Sequence, residues 1–189
     1  MKPNNSQQSS LDEAIAESFP ASDPPAWTVA KTTPKPAHEP LQQTISLKWE
    51  RNTPDFAYET YNREGEVKFA GGDTLLLSNP AEFYGDNRFA NAEELLLAAV
   101  AFCYMHTLLA IASKQKYSIQ RYTDHATAKL EKNESGQFWI SEVQLHPEIT
   151  VDSPLTEAQV EHLKNSAEKH CFIANSLNSK MIIQLKCRS

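Results

Sequence analysis

The 189-residue chain has only three cysteines, Cys103, Cys171 and Cys187, and they stand far apart. A small secreted domain stapled by disulfides carries an even set at regular spacing, so that class is excluded and a reducing compartment is expected. Basic residues are also few: 18 Lys and Arg stand against 24 Asp and Glu, for a formal net charge of -6. Without a dense cationic surface the chain cannot displace the counterions of a polyanion, which argues against nucleic acid as a partner. No apolar run approaches the roughly 20 residues that cross a bilayer, and the opening MKPNNSQQSS lacks the apolar stretch of a secretory signal. A soluble cytoplasmic protein with no membrane contact is expected.

What is present falls into two parts. Residues 1–40 hold Pro20, Pro24, Pro25, Pro34, Pro36 and Pro40 among many Ser, Asn and Gln, and read as a flexible tail. Within it Leu11, Ile15, Ala16 and Phe19 form one short helical face that Pro20 would stop. Residues 41–189 read as one domain with one core. Ile45, Leu47 and Trp49 alternate with polar residues, and Phe56, Tyr58 and Tyr61 follow a turn at 52–55, which predicts a hairpin. A second turn at Glu64–Gly65 leads into a strand through Val67 and Phe69, ended by Gly71 and Gly72. Residues 78–88 read as a loop.

Asn91 can cap a helix and Glu94, three residues on, can close a capping box. The helix runs to about Lys114 with almost no polar face, so it is expected at the centre of the core, enclosed on most sides. Alternation through Tyr117–Leu130 and Phe138–Thr150, around the turn at 133–136, predicts another hairpin. Thr156 and Gln159 cap an amphipathic helix to about His170, and a strand over 181–186 follows. The order is α+β, with antiparallel sheets wrapped around a long buried central helix.

Two of the cysteines fall on these helices. From residue type alone Cys103, deep in the apolar helix, is a small apolar core residue. Cys171, where the second helix ends, is placed to approach a neighbouring element. A cysteine oxidised by peroxide needs such a second thiol, because its sulfenic acid is destroyed by further oxidation unless trapped as a disulfide. Taken singly, Glu93 is a favourable charge at a helix N-terminus, and Arg51 and Arg63 are solvated arginines beside turns.

Together the motifs point further. NAEELLLAAVAFC resembles the OsmC/Ohr signature, in which an acidic residue precedes the reactive cysteine by ten positions, as Glu93 precedes Cys103. EKHCFIANSL resembles the family's second motif, and the KWER, YNREGEVKF and GG stretches are closest to a subgroup of OsmC-like peroxiredoxins. The likeness runs from about Thr44 onward, departing at Ala92, where the family has proline, and at His170 and Phe172 around the second cysteine. The resemblance implies a thiol peroxidase for organic hydroperoxides. Cys103 would attack, Cys171 would resolve, and an arginine clamped by Glu93 would stabilise the thiolate. Arg51 fits that arginine by its place at the end of the first strand, and Arg63 fits the closer subgroup. No cofactor or metal is implied beyond a dithiol or lipoyl-type reductant as co-substrate.

Ten helical residues span about 15 Å at 1.5 Å per residue, too far for Glu93 and Cys103 of one chain to hold the same arginine. Two chains with antiparallel central helices would bring them together, so an intertwined homodimer is expected. Two alternatives stay open: a metal site from Cys103, His106, His170 and Cys171, and a non-enzymatic OsmC-like dimer that binds small apolar ligands.

Overall fold

The computed structural model describes residues 40–189, so the expected tail and its helical face lie outside the described residues. Two compact units are present, and the boundary between them falls inside one helix, between Ala99 and Val100.

The first unit carries an antiparallel sheet of β1 (Ile45–Lys48), β2 (Gly65–Phe69) and β3 (Thr74–Leu77), in that order. Ile45 lies opposite Phe69, and Val67 lies between Leu47 and Leu75. Gly72, at φ 100°, takes the left-handed conformation that the β2–β3 turn requires. The expected strand through Phe56 and Tyr61 does not form, and Gly65 opens β2 instead of sitting in a turn. The aromatics of that segment pack on one another: ring centroids of Trp49, Phe56 and Tyr61 lie 5.1–6.3 Å apart. Asn62 takes the place of a strand partner. It accepts from Asn52 N at 3.0 Å and donates to the Glu50 carbonyl at 3.0 Å, while Trp49 Nε1 donates to its carbonyl at 2.8 Å. Local side-chain bonds of this kind compete with a sheet ladder and here prevail.

Helix α1 spans Ala92–Lys114. Its capping box is as expected: Glu94 N donates to Asn91 Oδ1 at 2.8 Å and Asn91 N donates to Glu94 Oε2 at 3.0 Å. By length and composition α1 could cross a membrane, which corrects the expectation that no segment could. Val100, Tyr104, Leu108 and Ile111 form its buried stripe, while Phe102, on another face, is 62% exposed. Within one chain the helix is therefore covered on one side only.

The second unit holds the remaining strands. β4 (Ile119–Thr123) pairs antiparallel with β7 (Glu148–Val151), and β5 (Thr127–Lys132) with β6 (Phe138–Leu145). Each of the two long strands expected from the alternation is thus broken, at residues 124–126 and 146–147. The break is built in: Asp124 Oδ1 accepts from His146 N at 2.7 Å, and the buried Pro147 has no N–H for a ladder. Strands β8 (Lys180–Ile183) and β9 (Lys186–Arg188) replace the single expected last strand and add in parallel to β6 and β7. The sheets are accordingly mixed, in orders β4-β7-β9 and β5-β6-β8.

Helix α2 (Glu157–His170) starts at the expected capping box, with Gln159 N donating to Thr156 Oγ1 and Thr156 N to Gln159 Oε1. Leu108, Ile111, Val143, Leu145, Ile149 and Leu163 are fully buried, each such side chain contributing about 1.5–3 kcal/mol.

Candidate active site

Cys103 sits at the midpoint of α1, half-buried, and its carbonyl accepts from Thr107 Oγ1 at 2.8 Å. Cys171 is the C-terminal cap of α2, where its N–H donates to the Glu168 carbonyl and its side chain is fully buried. Both thiols are free, and Cys103 is near enough to Cys171 to act on its protonation. Burial pushes the Cys171 thiol up to about 12; the neighbouring Cys103 adds to the rise, and hydrogen bonds from the backbone of Ala174 and Ile173 oppose it.

Around the pair the polar groups are few. Tyr104, next to Cys103, is 1% exposed, and its hydroxyl has no hydrogen-bond partner. Burial holds its pKa far above the usual tyrosine range, with Glu168, Asp124, Cys171 and Glu161 adding to the effect. Tyr122 on β4 is raised in the same way, and its hydroxyl donates to Asp124 Oδ2 at 3.3 Å. Apolar surface flanks the cysteines, since Phe102 and Phe172 are both exposed; Phe102 meets the His106 ring edge-on at 4.4 Å.

Among the described residues no group of three or more His, Cys, Asp or Glu could hold a metal. Cys103, His106, His170 and Cys171 form no such group. His170 is buried with Nδ1 2.8 Å from the Ser166 carbonyl, and His106 is exposed against Phe102.

The other predicted residues belong to the first unit. Arg51 is exposed and makes no hydrogen bond or ion pair with the described residues. Arg63 is half-buried in a cage of tyrosines, its guanidinium carbon 3.9 Å from the Tyr61 ring centroid and 5.4 and 5.2 Å from those of Tyr58 and Tyr84. Nη1 donates to the Tyr61 carbonyl and Nη2 to that of Tyr58, while Nε is buried without a partner. Glu93, in the first turn of α1, forms no ion pair with either arginine. Within one chain, then, Glu93 is paired with neither arginine, as the expectation of a clamp formed through a second copy allows. Sequence reading missed the Tyr58, Tyr61 and Tyr84 cage and the buried Tyr104. Only the adjacency of Tyr104 to Cys103 could have signalled the latter.

Residues 85–186, more than half of the chain, match the family described as OsmC-like protein, and the chain belongs to that family. It is similar to an OsmC-like protein of unknown function from Vibrio cholerae, at 29% identity and TM-score 0.73, over 77% of this chain and 99% of that one. The fold is shared with an organic hydroperoxide resistance protein from Elizabethkingia anophelis, at 22% identity and TM-score 0.58 over 79% and 98% of the two chains. It is shared too with an organic hydroperoxide resistance protein from Legionella pneumophila, at 20% identity and TM-score 0.56 over 79% and 100%. No curated protein matches the sequence.

Proposed function

We propose that the protein is a thiol peroxidase that reduces organic hydroperoxides to alcohols. The observation that carries this reading is that free Cys103 on α1 and free Cys171 at the end of α2 lie near enough for one to act on the other's protonation. Their surroundings divide the labour. Cys103 is the more exposed and takes the attacking role; Cys171, fully buried and still a thiol at neutral pH, is held in reserve.

The Cys103 thiolate attacks the outer peroxide oxygen, forming an S–O bond as the O–O bond breaks, and the alkoxide leaves as the alcohol once protonated. The Cys171 sulfur then displaces hydroxide from the Cys103 sulfenic acid, giving a disulfide and water. A dithiol reductant attacks the disulfide and, through a mixed disulfide, restores both thiols while becoming oxidised itself. Exposed Phe102 and Phe172 suit an alkyl chain beside the sulfur.

Arg63, not Arg51, takes the role of the cation in this reading, because a half-buried guanidinium fixed by two carbonyls and three rings is pre-organised and an exposed one is not. Glu93 is assigned to hold an arginine through a second copy of the chain, in an intertwined homodimer. The one-sided burial of α1 and the exposed Ile45, Leu47, Phe69 and Leu76 of the first sheet support that assembly.

The test is turnover of reduced protein with tert-butyl hydroperoxide and a dithiol, with mass spectrometry of the product. Organic-selective turnover and a Cys103–Cys171 disulfide are expected, with Cys103→Ser inactive and Cys171→Ser accumulating a trappable sulfenic acid. Free thiols after excess peroxide would sink the reading and favour a ligand-binding dimer.

A further inference from the structure

A disulfide forms only when two cysteine Cα atoms lie about 4.4–6.8 Å apart with their side chains turned toward each other. Cys103 is fixed at the midpoint of a 23-residue helix, so that fit depends on how Cys171 is held. Cys171 stands at a joint. Helix α2 ends at His170, Cys171 takes an extended conformation at φ -75° and ψ 110°, and the chain turns at once into a short 3-10 segment, Ala174–Ser176. One extended residue between two helical stretches is a place where a small rotation swings the side chain.

Asn175 closes the joint from both sides. Its main-chain N–H donates to the Cys171 carbonyl at 3.0 Å, and its side-chain Nδ2 donates to the Lys169 carbonyl at 2.8 Å. The first bond ties the turn to Cys171 alone. The second reaches past it to the last turn of α2, so the torsions of His170 and Cys171 lie inside a ring that the Asn175 side chain closes. The Lys169 carbonyl is one of those that a helix end leaves without a partner in the helix. The Cys171 N–H donates to the Glu168 carbonyl, and further along Ser179 Oγ donates to the Ile140 carbonyl on β6 at 2.6 Å, which anchors the far end of the segment. Asn175 is exposed, so water could take over its bond at little loss to the fold. What water could not replace is the fixed distance between the turn and the helix.

We propose that Asn175 is a positioning residue that holds Cys171 in place to resolve the Cys103 sulfenic acid; this rests on the peroxidase reading above. In the step it serves, the Cys171 sulfur bonds to the Cys103 sulfur as the S–O bond breaks. The sulfenic hydroxyl leaves with the hydrogen of the Cys171 thiol as one molecule of water. The oxidation already present in the sulfenic acid is shared between the two sulfurs, so no further oxidant or reductant takes part. Asn175 acts through the backbone around Cys171 and has no role in the attack on peroxide. Held in this way, Cys171 outruns a second peroxide, which would otherwise carry Cys103 on to sulfinic acid.

The experiment is a single turnover of reduced full-length protein with tert-butyl hydroperoxide, following sulfenic acid and disulfide formation separately, in Asn175→Leu, Asn175→Asp and Ser176→Ala. Leu removes the amide at similar size, and Asp keeps the shape but, ionised, cannot donate. Both variants should form sulfenic acid at the wild-type rate and resolve it at least about tenfold more slowly, with more Cys103 lost to sulfinic acid in excess peroxide. Ser176→Ala loses only a bond inside the turn, from Oγ to the Phe172 carbonyl at 2.8 Å, and should resolve like the wild type. A readout without peroxide is the dithiol–disulfide equilibrium in a dithiothreitol buffer, where the Asn175 variants should form the Cys103–Cys171 bond with a constant at least about tenfold lower. Wild-type resolution in both Asn175 variants, equal slowing of both steps, or equal slowing in Ser176→Ala would each overturn the role of Asn175. If Cys171→Ser accumulates no sulfenic acid, the peroxidase reading itself has failed. The equilibrium still decides whether Asn175 places Cys171, and an unchanged constant would mean that it does not.

Discussion

Cys103 and Cys171 differ more in their surroundings than in their chemistry, and that difference can be read out. Iodoacetamide at about pH 8 should modify Cys103 in the folded, reduced protein and spare Cys171 until denaturant is added, as peptide mass spectrometry would show. The sign of the pH effect follows from the same burial. The folded chain holds the Cys171 proton more tightly than the unfolded chain does, so stability falls as pH rises from the usual thiol value of 9.0 toward about 12. The helix positions of Cys103 and Cys171 were legible in the sequence because the ends of both helices are written in local capping signals. The different surroundings of Arg51 and Arg63 were not, because strand-end position says nothing of the three rings that surround one and not the other. Tyr104 escaped notice for a related reason. A tyrosine in an apolar helix looks like any core aromatic until its hydroxyl is found without a partner.

At the scale of elements, both helices were readable to within a residue, since their ends are written locally in Asn91 with Glu94 and in Thr156 with Gln159. Strands were less so. Alternation marks a strand's faces but not where its ladder is interrupted, and the breaks at Asp124 and Pro147 depend on a hydrogen bond between residues 22 apart. The aromatic segment from Trp49 to Tyr61 has a strand's composition and folds on itself instead, because Asn62 supplies local partners. The loop over 78–88 is equally committed. A Cβ at Gly85 would lie 1.7 Å from the Asn79 carbonyl oxygen, so Gly85→Ala must displace backbone. A loss of about 1–3 kcal/mol is expected in urea unfolding, with disturbance of Tyr84 on the same loop.

For the whole molecule, the most informative finding is apolar surface that one chain leaves open. Ile45 and Leu47 are exposed on one face of β1, and Phe102 is exposed at the centre of α1. Periodicity could identify α1 as apolar all round but could not say whether its own chain or another covers it. Light scattering should return about twice the 21.2 kDa chain mass at micromolar concentration; a monomer would leave Glu93 without its assigned arginine and remove the dimer from the proposal.

The two thiols meet across a long stretch of chain, and that has an effect on endurance as well as on chemistry. A bond between them would close a loop of about 70 residues, restricting the unfolded chain by about 4 kcal/mol. The spent form would then be the sturdier one, resisting heat and proteases for as long as it waited for a reductant. The reduced form, ready for peroxide, would be the easier to clear.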